Sequence, residues 1–223
     1  MLRQWCRPRT RPFVWRRGLR RYTRRVIPEL AFESTGGISQ AEFGPWMRSR
    51  IAWDPNRYEL LNGRIIMTPP AGYPHGSVES RVVRLLATYA TDRDLGEVLG
   101  SSQGFELPSG STVAPDASFV SKPRWAVMPE PATGEFLRVV PDLAVEILSG
   151  STAMHDRGEK KAIYERDGVS EYWLIDPRAR CVTVFLAQDG RFDLGTVLGE
   201  SERVVCRALP GLEIAVNDLF PAR

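Results

Sequence analysis

The chain is poor in the residues that build most metal and redox centres, with three cysteines and two histidines in 223 residues. Cys6, Cys181 and Cys206 share no close spacing, so there is no CxxC pair, and an odd count argues against a disulfide framework. Two of the three sit in apolar, strand-like runs and read as small buried hydrophobes. Two histidines are too few for a histidine-rich metal site. No stretch approaches ~18 uninterrupted apolar residues, so no helical membrane span is expected, and the reducing cytoplasm is the expected compartment. A GxxxxGK[ST] phosphate loop, a GxGxxG turn, a GxSxG elbow and an HExxH helix are all missing. Internal repeats and interior low-complexity segments are missing too.

Acidic residues are absent from one end. Residues 1–27 hold ten arginines, no lysine and no acid, so 28–223 hold 20 basic against 27 acidic residues, a net of −7 where the whole chain is +3. The basic character belongs to the tail. With no apolar period to fold on, 1–27 reads as a disordered extension or as translated upstream sequence. The same composition suits a nonspecific grip on nucleic acid or an Arg-rich targeting peptide. Residues 28–223 are expected to form one domain, which at that length can bury a full core.

What is present reads as short strands with helices between them. Ser39 and Glu42 have capping-box spacing, so a helix begins there, and Pro45 is expected to end or bend it. Tyr58 to Met67 is a hairpin turning on Asn62-Gly63. Val78, Val82, Leu85, Leu86 and Tyr89 recur at helical spacing. Strands are expected at 104–107, 112–120 and 141–149, then a helix at about 156–167 stopped by Gly168. Further strands are expected at 171–176, 181–187, 191–198 and 203–207, with Asp189-Gly190 turning a second hairpin. The pattern implies α/β or α+β with a mixed sheet and a largely antiparallel C-terminal part.

Chemistry is concentrated in carboxylates and lysines at uncomfortable positions. Glu146 interrupts Leu-Ala-Val-Glu-Ile-Leu, a run that reads as a strand buried on both faces. A lone ionised carboxylate there would cost several kcal/mol at least, so a partner is required: a metal, a structural ion pair, or emergence into solvent. Asp116 repeats the theme in Val-Ala-Pro-Asp-Ala-Ser-Phe-Val, where Pro115 removes a ladder donor and implies a bulge or edge; an ordinary turn aspartate is the plainer reading. Asp142 shares a strand face with Glu146 but lies about 13 Å away at ~3.3 Å per residue, so the two cannot ligate one ion. Asp142 is instead expected to bond nearby backbone at strand entry. Asp156, Lys160 and Tyr164 form one helical stripe, and Lys161 points away into solvent. An Asp-Lys surface pair would have the same spacing.

Taken in order, YELLNGRI at 58–65, the histidine at 75, APDASFV at 114–120, PDLAVEILS at 141–149, D-x-x-x-K-x-x-x-Y at 156–164 and GVSEYWLIDP at 168–177 resemble the bacterial family of putative restriction endonucleases of largely unknown function, a branch of the PD-(D/E)xK nuclease superfamily. The resemblance spans roughly 39–220. It implies a restriction-endonuclease-like core and a DNA endonuclease dependent on Mg²⁺ (or Mn²⁺). Asp116 and Glu146 become the metal-binding acids, with Glu59 an additional ligand and His75 near the site; a helix-start histidine would satisfy the same position. The superfamily lysine two residues after the Glu is Leu148 here, and the resemblance moves that role to Lys160. Hydrolysis needs an activated water and relief of phosphate charge, which hard oxygen ligands around Mg²⁺ and an adjacent ammonium can supply. A homodimer would offer two sites for two strands. Two other readings stay open: a noncatalytic nucleic-acid- or protein-binding module on the same fold, and a metal-dependent hydrolase of something smaller than a duplex. The acidic body favours a duplex reader only if Arg48, Arg50, Arg57, Arg64, Arg81 and Arg84 cluster at the cleft.

Overall fold

The computed structural model describes residues 36–49, 54–149 and 156–222. The Arg-rich segment 1–27, Cys6 and Arg50 lie outside the described residues.

Helix α1 (Gln40–Ser49) starts on the expected capping box: Glu42 Oε2 accepts from Ser39 N at 2.9 Å, and Ser39 Oγ accepts from Glu42 N at 3.3 Å. Pro45 does not stop the helix, which runs to Ser49. The buried Phe43 packs with Tyr58, Leu60 and Ile65 and offsets one lost helical hydrogen bond. Strands β1 (Arg57–Leu61) and β2 (Arg64–Thr68) form the hairpin. Asn62 and Gly63 turn it with φ of 49° and 80°, the left-handed pair that a two-residue turn requires. Helix α2 (His75–Asp92) buries Val78, Val82, Leu86 and Ala90 on one stripe.

Strands β3 (Gly96–Gly100), β4 (Phe105–Glu106), β5 (Thr112–Val113) and β6 (Ala117–Ser121) follow, then the short helix α3 (Lys122–Val127) and strand β7 (Leu143–Ile147). A π-helical turn, Asp156–Lys160, leads into helix α4 (Lys161–Asp167), closed by Gly168 at φ 84°. The rest is β8 (Glu171–Asp176), β9 (Cys181–Gln188), β10 (Arg191–Phe192), β11 (Thr196–Gly199), β12 (Arg203–Cys206) and β13 (Leu212–Ala215), ending on a 3₁₀ turn at Val216–Leu219. The main sheet runs β10-β9-β8-β7-β6-β3, with β11 also paired to β9, and a second sheet runs β2-β1-β5-β4. β7 and β8 pair in parallel, so the chain between them crosses one face, carrying α4 onto it. From β8 onward the strand pairs are antiparallel, as the turn chemistry implied.

Three expectations need correcting. The run 112–120 is two strands: β5 joins the small sheet, β6 the main one, and Ala114–Asp116 between them belong to neither. Pro115 therefore marks a change of sheet. The run 191–198 is likewise split into β10 and β11, because Asp193 Oδ1 accepts from the Leu186 and Gly195 amides and holds a turn there. Strands β3 and β13 and helix α3 lack a strong periodic signal and were not expected.

The sheet separates two apolar layers. Leu143, Val145 and Ile147 of β7 face α2, with Trp173 and Ile175 beside them. Ala144 faces the opposite layer, with Ile163, Tyr164 and Tyr172. By strand alternation Glu146 points with Ala144, towards α4. No helix among the described residues is long and apolar enough to cross a membrane.

Candidate functional site

Glu146 is fully buried, and its Oε1 accepts from Lys160 Nζ at 3.0 Å and from the Tyr164 hydroxyl at 2.7 Å. The Lys160 ammonium also lies 2.8 Å from Glu59 Oε2. The α4 crossover thus folds Lys160 and Tyr164 back onto the β7 carboxylate. Lys160 ends the π turn, a local widening of the helix of a kind frequent at functional sites. Lys161 is not simply solvated: its ammonium sits 4.1 Å from the centre of the Phe185 ring. The side chains of Asp156 and Arg157 lie outside the description.

Glu59 comes from the middle of β1. Its Oε1 accepts from the Ala114 amide at 2.8 Å, which fastens the small sheet at the break before β6. Two residues on, Asp116 is buried with both oxygens engaged. Oδ1 accepts from Arg57 at 2.8 Å, while Oδ2 accepts from the Ile147 amide at 2.7 Å and lies 3.1 Å from His75 Nε2. His75 opens α2, and its Nδ1 is 3.8 Å from Glu79 Oε2, one helical turn on. Asp142 has the role expected of it, with Oδ2 accepting from the Ser121 amide at 2.7 Å and Oδ1 3.1 Å from Arg124.

These contacts set the protonation states. Burial alone would raise the Asp116 pKa, but the His75 hydrogen bond, the Arg57 charge and the Ile147 amide hold it far below the usual carboxylate range. Burial works against the Arg57 charge, yet Glu59, Asp116 and Glu146 outweigh it and keep the guanidinium protonated. For His75 burial lowers the pKa, while the bond to Asp116 and the charges of Asp116 and Glu79 raise it, for a net rise. Burial, then Glu146 and Glu59, push the Tyr164 hydroxyl well up, so it stays a neutral donor.

All six sequence candidates (Glu59, His75, Asp116, Glu146, Lys160, Tyr164) converge on this one region. The expected ligand trio Asp116, Glu146 and Glu59 does not form the tightest donor group, because the Lys160 ammonium lies between the two glutamates. Among the described residues, the group whose ligand atoms all lie within 4.8 Å of one another is His75, Glu79 and Asp116. One participant, Glu79, was not singled out from sequence, and Arg57 was named there only within a set of six arginines. Glu79 stands four residues after His75, the spacing that puts both on one helix face. Arg57 stands two before Glu59, on the same strand face.

The donor chemistry fits a divalent cation. Among the described residues, Glu59, Glu79, Asp116 and Glu146 surround Arg57, Lys160 and His75, so negative charge remains in excess even with His75 protonated. Oxygen donors suit Mg²⁺ and Mn²⁺, and an imidazole broadens the set to later metals. Arg57, His75, Glu79 and Asp116 line a cavity of about 420 Å³, while Glu146, Lys160 and Glu59 are buried behind them. Of the proposed basic cluster, Arg57 reaches the acids, whereas Arg64 pairs with Glu159 at 2.8 Å.

Known proteins bear on this geometry. Comparison with curated proteins gave no match. Among solved structures, one from Anabaena variabilis described as a putative nuclease belonging to DUF820 is similar in fold, with a TM-score of 0.67 and 21% identity over 82% of this chain and 97% of that one. The model of the Uma2 family, described as "Putative restriction endonuclease", matches residues 49–217. That range includes the whole carboxylate–lysine cluster and well over half the sequence, and the chain belongs to the Uma2 family of putative restriction endonucleases.

Proposed function

We propose that the protein is a metal-dependent endonuclease that hydrolyses DNA phosphodiester bonds, using Mg²⁺ or Mn²⁺. Family membership supports a nuclease. The observation that supports the finer reading is the Lys160 ammonium, 3.0 Å from Glu146 and 2.8 Å from Glu59, within reach of the role that the resemblance moves to it.

In this reading Asp116 and Glu146 hold the ion, with Glu59 contributing directly or through water. A cation there would polarise the phosphate and ease deprotonation of the attacking water. Lys160 sets the opposing charge, orienting the water and offsetting negative charge on the phosphate as it builds. Tyr164 fixes the Glu146 carboxylate by donating to Oε1. Arg57 and His75 hold Asp116 ionised and aligned at the cavity wall.

One observation favours a noncatalytic module instead. Each acid is already engaged by the protein's own donors, so the cluster is self-consistent as a structural ion network. Incubation with plasmid and single-stranded DNA in Mg²⁺, Mn²⁺ or EDTA separates the two. Metal-dependent cleavage that is lost in Glu146→Gln supports the nuclease. Binding without cleavage under every condition overturns it.

A further inference from the structure

The cavity beside Asp116 has a second wall that the nuclease reading leaves unused. Phe43, Trp46, Tyr58 and Phe136 form an aromatic cluster: Phe43 stacks on Phe136 with ring centres 5.7 Å apart, and Trp46 meets Tyr58 edge-on at 5.2 Å. Tyr58 and Phe136 present this cluster to the cavity. Gly104, also in the lining, makes room for it: a Cβ there would fall 2.4 Å from the Phe136 ring. Pro69 and Pro70 add flat apolar surface, and Thr68, Ser101 and Ser102 add hydrogen-bonding groups. The loop carrying Pro69 and Pro70 continues to Tyr73, a side chain 81% exposed and two residues from His75.

The cavity volume, about 420 Å³, lies at the small-ligand end of the usual ~300–1,000 Å³ range. It suits one base with its sugar and is too small for a base pair with two backbones. A shallower depression shares Gly76, Glu79, Ser101 and Ser102 with it and runs along α2 to Arg84. Residues 28–223 carry a net charge of −7, so the body of the protein offers no net positive charge to neutralise phosphate. Aromatic stacking supplies affinity without that requirement.

The geometry points to a pocket for a single unstacked nucleobase, walled by Phe136 and Tyr58 with Tyr73 on its rim loop, which presents the adjoining phosphate at the Asp116–His75 edge. The substrate is then an unpaired strand, whose backbone leaves along α2 past Arg84. The inference rests on the nuclease reading for the phosphate's fate, but the pocket itself is tested by binding alone.

The test uses the full chain in Ca²⁺ with a short single-stranded oligonucleotide carrying 2-aminopurine, and a blunt duplex of the same sequence, followed by fluorescence anisotropy. Single strand is expected to bind at least about ten-fold tighter than duplex, with 2-aminopurine emission quenched by the aromatic wall. Phe136→Ala and Tyr73→Ala are each expected to weaken single-strand binding about ten-fold, and Tyr73→Trp to preserve it. Each measurement is repeated at raised salt, where the electrostatic grip of the Arg-rich tail weakens and base stacking persists. Should Phe136→Ala fail to fold, the exposed Tyr73 still decides the matter. Duplex binding as tight as single strand, or unchanged single-strand affinity in Tyr73→Ala, overturns the pocket. Parallel digests in Mg²⁺ and Mn²⁺ keep the two readings apart: single-strand preference without cleavage retains the pocket and rejects the nuclease, and duplex cleavage without single-strand preference does the reverse.

Discussion

Glu146 and Glu171 lie on adjacent parallel strands of one sheet, each wholly buried, Glu146 inside an apolar run and Glu171 at the start of one, and their surroundings are opposite. Glu146 faces α4, where a lysine and a tyrosine hydroxyl meet it. Glu171 faces the other layer, where the donors are neutral: Trp173 Nε1 at 2.7 Å, the Ala208 amide at 2.8 Å and the Cys206 thiol at 3.6 Å. No ion pair involves Glu171 among the described residues. Burial therefore raises its pKa, and the amide and indole bonds only partly oppose that rise. Its charge in turn, after burial, pushes the Cys206 thiol far up. A buried carboxylate is thus an anomaly whose surroundings differ with topology: the crossover between β7 and β8 brings a cation to Glu146, whereas Glu171 meets neutral donors.

This contrast can be broken at either end. The largest effect is expected on activity: Glu146→Gln should reduce metal-dependent cleavage by at least about a thousand-fold, while Glu171→Gln leaves it within about two-fold, both read by plasmid nicking. Equal losses would erase the distinction. Next, Lys160→Met strips the cation from two buried acids and should cost about 3–5 kcal/mol in urea denaturation at pH 7. The double variant with Glu146→Gln should recover part of that cost, and strict additivity would argue against the pair. Trp173→Phe removes one neutral donor from Glu171 and should cost about 1–3 kcal/mol, with cleavage retained in the folded fraction.

The smallest effect concerns pH. The folded-state pKa of Glu171 lies above its ordinary 4.5, so between those values the folded protein holds the proton more often than the unfolded chain does. Its contribution to stability is greatest below 4.5 and is lost as pH rises through the raised pKa. Glu171→Gln should flatten that part of the stability–pH curve and gain on the wild type as pH rises. A curve parallel to wild type would mean that Glu171 titrates normally.

Much of the local structure was legible. Asn62-Gly63 and Asp189-Gly190 adopt the left-handed turns their types favour, and the α2 stripe packs as its periodicity implies. The cluster was legible in part. Glu146 announced itself as a charge inside an apolar strand, whereas Glu171 follows Gly168-Val169-Ser170 at a strand start and gave no such signal. Lys160 had a further pointer in composition, since three of the 30 basic residues are lysines. Glu79 and Arg57 were within reach of simple spacing rules from His75 and Glu59. The break at Pro115 was visible as an irregularity, whereas its consequence, one run feeding two sheets, was not.

The sequence by itself determined the short-range features: turns, caps, helical stripes, strand alternation and the presence of misplaced charge. These depend on dihedral preference and spacing within a few residues. Tertiary structure alone decided which charges meet. Arg57 reaches Asp116 across 59 residues, and Ile147 donates its amide to Asp116 across 31. Those pairings follow from sheet order, and the meeting of Lys160 with Glu146 follows from the crossover between β7 and β8. Neither is encoded in any local window, because a buried charge accepts whatever partner the packing of distant elements delivers.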